Sequence, residues 1–416
     1  MRRFSGSWIL IIIMLLIDLY VFQALKVVIQ HTSPKVKLIV FGIYWLFSAG
    51  AVITLLIMPY INIESWPKAL RTYFISILIG LFLSKAVTVI FLIVDDLRRV
   101  LQWAGGKLFY QYVHGEPFKA AGISRSVFMS WLGLGIGGGL FGTLLWGFRN
   151  KYRYDLKTIQ LNFPNLPEAF KGLKIIHISD VHSGSFTDKK AVAHGIDMIM
   201  KQGADIILFT GDLVNDHVDE MNDYSDIFSK LSAPMGVFST LGNHDYGDYR
   251  AWPSAEAKEQ NLERLKQLQK DMGWRLLMNE HVPLEKNGQQ IALLGIENWG
   301  AKANFPKYGK LDQAYAGTEK YPFKILMSHD PSHWDAEVRT ETYKDIDLML
   351  SGHTHGMQFG VEVPGFKWSP VQYVYKQWAG LYEEAAQKLY INRGYGFIGY
   401  PGRVGILPEI TVIELV

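Results

Sequence analysis

The chain has 416 residues, a formal charge of only +3 and no cysteine. That length accommodates two or three domains, the small charge gives no electrostatic case for a nucleic-acid partner, and the missing thiols exclude disulfides and thiolate metal ligands. Long apolar runs fill the first 150 residues, whereas the remainder has the mixed composition of a soluble α/β protein, so the chain divides into residues 1–150 and 151–416.

Residues 8–29, 37–58, 73–94 and 127–148 are each long and apolar enough to cross a bilayer, which takes about 20 helical residues. The first is too long for a signal peptide and lacks a small-residue cleavage site, so it reads as a retained span. The fourth carries Gly133, Gly135, Gly137, Gly138, Gly139 and Gly142, which allow close helix packing in lipid. Between the third and fourth spans, the stretch beginning DDLRR reads either as a short amphipathic segment at the membrane surface or as a solvated turn. Asp18 and Lys85 fall inside spans, where charge is costly; they form a structural pair or mark a proton or ion path. Basic residues are shared evenly between the two sides. Arg2, Arg3, Lys68, Arg71, Arg149, Lys151 and Arg153 face Lys35, Lys37, Arg98, Arg99, Lys107, Lys119 and Arg125. The positive-inside rule therefore does not decide. The basic cluster directly after the fourth span favours a catalytic domain on the cytoplasmic face of an inner or plasma membrane.

DLKTIQL opens the second part as a strand, and IIHIS follows as another, ending at Asp180-Val181-His182. Alternation along a strand puts Asp180 and His182 on one face, a ready pair of ligands for a divalent metal. Four more apolar runs end in ligands: ADIILFTGD at Asp212, GVFSTLGNHD at Asn243-His244-Asp245, FKILMSH at His329, and IDLMLSGHTH at His353 and His355. Helical patterns separate the early strands, which argues for an α/β layered core, and residues 274–298 read as consecutive strands with a turn at Asn287-Gly288. Any one of these motifs is an ordinary loop feature; five in order form a two-metal centre.

The ordered set D-x-H, G-D, G-N-H-D, H and G-H-x-H resembles the calcineurin-like metallophosphoesterase superfamily over residues 155–416. That resemblance implies a four-layer α/β/β/α sandwich, here preceded by an all-α bundle of four transmembrane helices. It implies one metal held by Asp180, His182, Asp212 and His355, and a second held by Asp212, Asn243, His329 and His353, with Asp212 shared. It also implies that His244 protonates the leaving group, with Asp245 placed to orient its ring. The mixed imidazole, carboxylate and amide donors suit Mn, Fe or Zn better than Mg. Leu213, Val214 and Asn215 supply no tyrosine ligand, which argues against a coloured Fe(III)–tyrosinate site. His177, His194, His281 and His333 read as structural, and His217 has no motif behind it.

After the last histidines the sequence is unusually aromatic, with Met357, Phe359, Phe366, Trp368, Tyr373, Tyr375 and Trp378. This region forms an apolar rim beside the metals or a hairpin packed on its own sheet. The closing segment resembles the membrane-associated branch of the superfamily, which includes UDP-2,3-diacylglucosamine hydrolases. Its Arg403 reaches a phosphate or pairs inside the domain. Together these features imply a membrane-anchored, metal-dependent phosphoesterase acting through a metal-activated water on a membrane lipid or lipid-linked phosphate. The alternatives are a phosphodiesterase for a soluble nucleotide and a catalytically silent membrane scaffold.

Overall fold

Four apolar helices begin the chain: α1 (Ser5–Val28), α2 (Pro34–Ile57), α3 (Lys68–His114) and α4 (Val127–Gly147). The computed structural model describes residues 5–114, 124–302 and 305–416, so Arg2, Arg3 and Lys119 of the charge comparison lie outside the described residues. All four helices are long and apolar enough to cross a membrane. The Ser33 hydroxyl caps α2 by accepting from the Val36 amide, and Pro34 sits at its first turn, where its missing N–H costs nothing. With 47 residues α3 extends about 70 Å at the helical rise per residue, roughly twice the thickness of a hydrocarbon core. Asp95 to Arg99 therefore continue the third helix, and are neither a separate amphipathic segment nor a turn. There Asp95 accepts from Arg98 Nε at 2.9 Å and from the Ser126 amide at 3.0 Å, which ties the start of α4 to α3. Glycine lets the two helices close up: a Cβ at Gly137 would collide with the Thr88 hydroxyl and the Ser84 carbonyl. Asp18 is buried and Lys85 partly so; they pair at 2.5 Å, with the Ser48 hydroxyl accepting from Lys85 at 2.7 Å and donating to Asp18 at 3.1 Å. Mutual pairing of this kind is what a structural role requires.

The chain separates into two units at residue 146, and the second contains two six-stranded sheets. Its strands and helices run β1 (Asp155–Leu161), β2 (Lys174–Ile178), α5 (Lys189–Met200), β3 (Ile206–Phe209), α6 (Ser225–Phe228), β4 (Val237–Ser239), α7 (Ala255–Asp271) and β5 (Arg275–Leu276). They continue with β6 (Glu280–Lys286), β7 (Gln289–Gly295), α8 (Leu311–Tyr315), β8 (Lys324–Met327), β9 (Leu348–Ser351), β10 (Val361–Val363), β11 (Phe366–Trp368), β12 (Gly380–Glu384), β13 (Gln387–Ile391) and β14 (Glu409–Leu415). One sheet has the order β1-β14-β2-β3-β4-β5, the other β12-β13-β9-β8-β7-β6, and β10 and β11 form a separate hairpin.

Central strands of both sheets are apolar on both faces because both faces are covered. In β3, Ile206 and Leu208 enter the core between the sheets, while Ile207 and Phe209 face the cluster that includes Val192, Ile196 and Leu265 of α5 and α7. In β8, Ile325 and Met327 meet them from the second sheet, and Leu326 turns outward to pack with Leu311 of α8 and Trp334. The result is the four-layer α/β/β/α sandwich preceded by an all-α membrane unit. Parallel β2, β3 and β4 stop side by side, as do β8 and β9, so the loops that follow them open at strand carboxyl ends, where ligand sites of such sheets lie.

Candidate metal centre

The first ligand pair is not presented by strand alternation. β2 ends at Ile178, and Asp180 and His182 follow in left-handed conformations, with φ of 53° and 48°. Asp212, His353 and His355 are left-handed as well, at 61°, 71° and 49°. Each such non-glycine residue costs about 1–2 kcal/mol, and such strain persists only where surrounding contacts over-determine it. Here the loops bind one another. The Asp180 amide donates to the Gly211 carbonyl at 2.9 Å, and Val181 N to the Asp212 carbonyl at 2.8 Å. The His353 amide donates to the Asp180 carboxylate at 2.9 Å, and the His244 amide to Asp212 Oδ1 at 2.8 Å. Gly211 lies against the backbone of Gly242, where a Cβ would strike the Gly242 nitrogen, so the G-D and G-N-H-D loops meet only without side chains there.

Two groups of donors converge. Asp180, His182 and His355 form one, and Asp212, His329 and His353 the other, the ligand atoms of each lying within 4.8 Å of one another. Asp212 Oδ2 stands 3.1 Å from His329 Nε2 and 3.5 Å from His182 Nε2, between the groups. Asn243 joins the second group, its Oδ1 lying 2.9 Å from His353 Nδ1, while its amide donates to the Tyr249 hydroxyl at 2.8 Å. That bond fixes which end of the Asn243 amide faces the site. All seven residues named from the sequence come together here.

The donors fit cations. His329 Nδ1 lies 2.7 Å from the Thr210 carbonyl, which takes its N–H and leaves the buried Nε2, 3.1 Å from Asp212 Oδ2, as the atom open to a proton or a cation. Either positive charge offsets the carboxylate that Nε2 faces. Nε2 of His182 and of His355 likewise approach to 3.0 Å. Burial, above all, lowers the pKa of His182, His353 and His355, keeping these rings neutral and their lone pairs available. Burial opposes ionisation of Asp212, but the imidazoles of His329 and His244 outweigh it and hold the carboxyl well below the usual range. His329 is opposed by burial too, yet the Asp212 carboxylate beside it raises it to about 10. A cation entering this centre therefore displaces a proton from His329.

Around the ligands the structure revises two expectations and adds supporting residues. Asp245 does not orient the His244 ring. Its buried carboxylate accepts from the amides of Asp212 at 2.8 Å, Leu213 at 2.8 Å, Val214 at 3.3 Å and Gly242 at 2.9 Å. The His244 ring is set instead by the Asn215 carbonyl, 2.8 Å from Nδ1, with Tyr249 against its face. Arg403 is wholly buried rather than open to a substrate. Its Nη1 donates to the carbonyls of Arg393 at 2.8 Å and His355 at 3.2 Å, and Nη2 lies 3.2 Å from His355 Nδ1. It holds the last ligand loop.

Tyr375 hydrogen-bonds His353 Nε2 at 2.8 Å and Asp330 Oδ2 at 3.3 Å. No motif marks that tyrosine; adjacency to His329 is the only sequence sign of Asp330. The histidines read as structural lie elsewhere: His177 bonds Thr210 at 2.9 Å, His281 the Ala314 carbonyl at 2.9 Å, and His333 Glu337 at 2.9 Å. His194 is exposed on α5, and His217 caps the turn at Asp219.

Comparison with known proteins follows the same division. Residues 173–357 match the family described as Calcineurin-like phosphoesterase, and residues 1–151 match "Probable Calcineurin-like phosphoesterase, transmembrane domain". Similar proteins include a "Transmembrane protein with metallophosphoesterase domain" of Danio rerio, 28% identical over 62% of this chain and 57% of that protein. They also include "Uncharacterized metallophosphoesterase YkuE" of Bacillus subtilis (strain 168), 29% identical over 60% of this chain and 81% of the relative. "Phosphodiesterase YaeI" of Escherichia coli (strain K12) is 29% identical over 58% and 82%. The chain thus spans little more than half the length of the Danio rerio relative.

Proposed function

The chain belongs to the calcineurin-like metallophosphoesterases, hydrolases of phosphoester bonds, and we propose that it cleaves a phosphoester or pyrophosphate bond of a lipid-linked substrate. The observation that carries the hydrolytic reading is the placing of the Asp212 carboxylate between His329 of its own donor group and His182 of the group that Asp180 and His355 complete. Asp180, His182, Asp212 and His355 would hold one divalent cation, and Asp212, Asn243, His329 and His353 the other. Bound there, the pair supplies an acidified water as nucleophile and neutralises the phosphoryl oxygens. Nitrogen and oxygen donors without thiolates favour Mn, Fe or Zn.

The chain's own residues do the rest. His244 gives its Nδ1 hydrogen to the Asn215 carbonyl, so Nε2 is the atom that carries a proton to the leaving oxygen. Tyr375 and Asp330 fix the His353 ring from behind, as supporting residues of metal-bound imidazoles do. The name of the Escherichia coli relative supports a phosphodiester as the bond type.

A lipid-linked substrate is supported by the hairpin that follows the last ligand loop. Met357, Val363, Phe366, Tyr373 and Val374 are each more than half exposed. Exposed apolar side chains gathered this close to a catalytic centre suit an acyl or isoprenyl chain. The cluster at Arg149, Lys151 and Arg153 supports a cytoplasmic catalytic unit. The test is turnover of the full chain in mixed micelles, with a lipid-linked and a soluble pyrophosphate compared at equal concentration. The reading predicts at least ten-fold preference for the lipid-linked compound, lost when Phe366 and Val374 become serine. Equal rates with both compounds would leave the soluble-substrate alternative.

A further inference from the structure

We propose that one end of the helical unit carries a binding site for a phosphate group, formed by Lys26 of α1, Arg99 of α3 and Arg125 before α4. A cavity of about 440 Å³ lies there, lined by Gln23, Lys26, Val27, Gln30, Arg99 and Arg125. A second, of about 360 Å³, shares Arg99 and adds Asp96, Val100 and Trp103. Both are of the size that takes small polar ligands, roughly 300–1,000 Å³.

Among the described residues, Asp96 is the carboxylate that pairs with Arg99, at 2.9 Å, and with Arg125, at 3.0 Å, while accepting from the Tyr20 hydroxyl at 2.5 Å. Asp95 is taken by Arg98 at 2.8 Å and by the Ser126 amide. No carboxylate among the described residues pairs with Lys26, whose partners are the Gln23 side-chain oxygen at 3.2 Å and the Phe22 ring. Arg125 is only 11% exposed, and its Nη1 has no hydrogen-bond partner. An ammonium without a carboxylate at Lys26 and an unused, buried guanidinium N–H at Arg125, facing the space that Arg99 also lines, form the complement of a phosphate mono- or diester. Such a donor left unpaired is costly unless a ligand takes it.

The span ends locate the cavity. Lys26 lies in the last turn of α1, Arg99 lies just past the apolar run 73–94 of α3, and Arg125 directly precedes α4, so all three sit near the ends of apolar runs. Trp103, half exposed beside the second cavity, suits headgroup depth. Basic pockets between spans at this level take anionic lipid headgroups; free phosphate offers the same chemistry.

The bland explanation is that these cations serve only to set membrane orientation. Lys35 separates the two accounts, because it lies at the same end of the helices and lines neither cavity. The full chain in neutral detergent is titrated calorimetrically with dihexanoyl phosphatidic acid, dihexanoyl phosphatidylcholine and inorganic phosphate. The proposal predicts saturable binding of phosphatidic acid, weakened about five-fold by Lys26→Gln and again by Arg99→Gln, and unchanged by Lys35→Gln. Phosphoesterase activity on a soluble aryl phosphodiester, unchanged in both variants, shows that they are folded. The same titration in Asp212→Asn must persist, which separates this site from anions held at the metals. Equal affinity of phosphatidic acid and inorganic phosphate assigns the site to free phosphate, and preference for the lipid assigns it to a headgroup. Binding that is the same in wild type and Lys26→Gln, or that Lys35→Gln weakens as much, overturns the proposal.

Discussion

Replacing Asp245 by alanine distinguishes a carboxylate that staples loops from one that tunes an imidazole. In the structure it accepts three short bonds, from Asp212, Leu213 and Gly242, and a longer one from Val214, all buried. Alanine leaves those amides without partners in a closed space. An unsatisfied buried donor costs about 1–3 kcal/mol. Taking the low end for each bond, because water can enter the vacated volume, gives a loss on the order of 4 kcal/mol. That is a large part of the stability of an ordinary domain, about 5–15 kcal/mol. The assay is urea unfolding of the full chain in micelles, followed by tryptophan fluorescence, alongside retention of metal after gel filtration. The variant should unfold at clearly lower urea and retain less metal, because Asp212 and the Gly242 loop are no longer pinned. Asp245→Asn should fall between, since one oxygen remains but its amide hydrogens oppose backbone donors. Unchanged stability and metal content, with a selective loss on poor leaving groups, would refute the staple and return Asp245 to the role of ring orienter.

Other changes act at separate points. His244→Ala should slow hydrolysis of an alkyl phosphodiester about 10²–10⁴-fold and an activated aryl phosphodiester far less, measured at saturating substrate; equal losses would remove it as proton donor. Tyr375→Phe should weaken retention of one metal about 10–100-fold while the fold survives, read by competition with a chelator. Burial opposes ionisation of Glu409, but its ion pair with Arg393 and bonds from Thr411 and Tyr390 hold it below its ordinary value of 4.5. A carboxyl so depressed contributes stability that is complete above the unfolded-state value and is lost as pH falls through the folded one. Urea midpoints should therefore decline on acidification below about pH 4.5, and Glu409→Gln should flatten that decline.

Sequence carried the chemistry of the centre further than its geometry. Asp180, His182, Asp212, Asn243, His329, His353 and His355 were legible because each follows an apolar run that both sheets bury on two faces. What alternation could not supply is how they are aimed. The left-handed turns at Asp180, His182 and Asp212 come from bonds between loops distant in sequence, such as the Asp180 amide to the Gly211 carbonyl. Asp245 serves backbone amides instead of the His244 ring, and Arg403 takes the interior one of its two readings, for the same reason: a charged side chain beside a motif can serve backbone groups, and only the packed loops decide between that and substrate contact. Tyr375 carries no local pattern, because its partner His353 is set by the turn of the chain after β9. In the membrane unit the four spans were plain, whereas the unbroken length of α3 was hidden by the charges of Asp95 to Arg99, which lie beyond the apolar run 73–94 on the same continuous helix.

Metal stoichiometry of the full chain bears most directly on Asp212 as the carboxylate shared by two cations. After loading with Mn²⁺ and desalting, elemental analysis of wild type should give two ions per chain and of Asp212→Asn one at most, with phosphodiesterase activity lost in step. Wild type that keeps no metal when fully supplied, or an Asp212→Asn chain that keeps both ions, would contradict it.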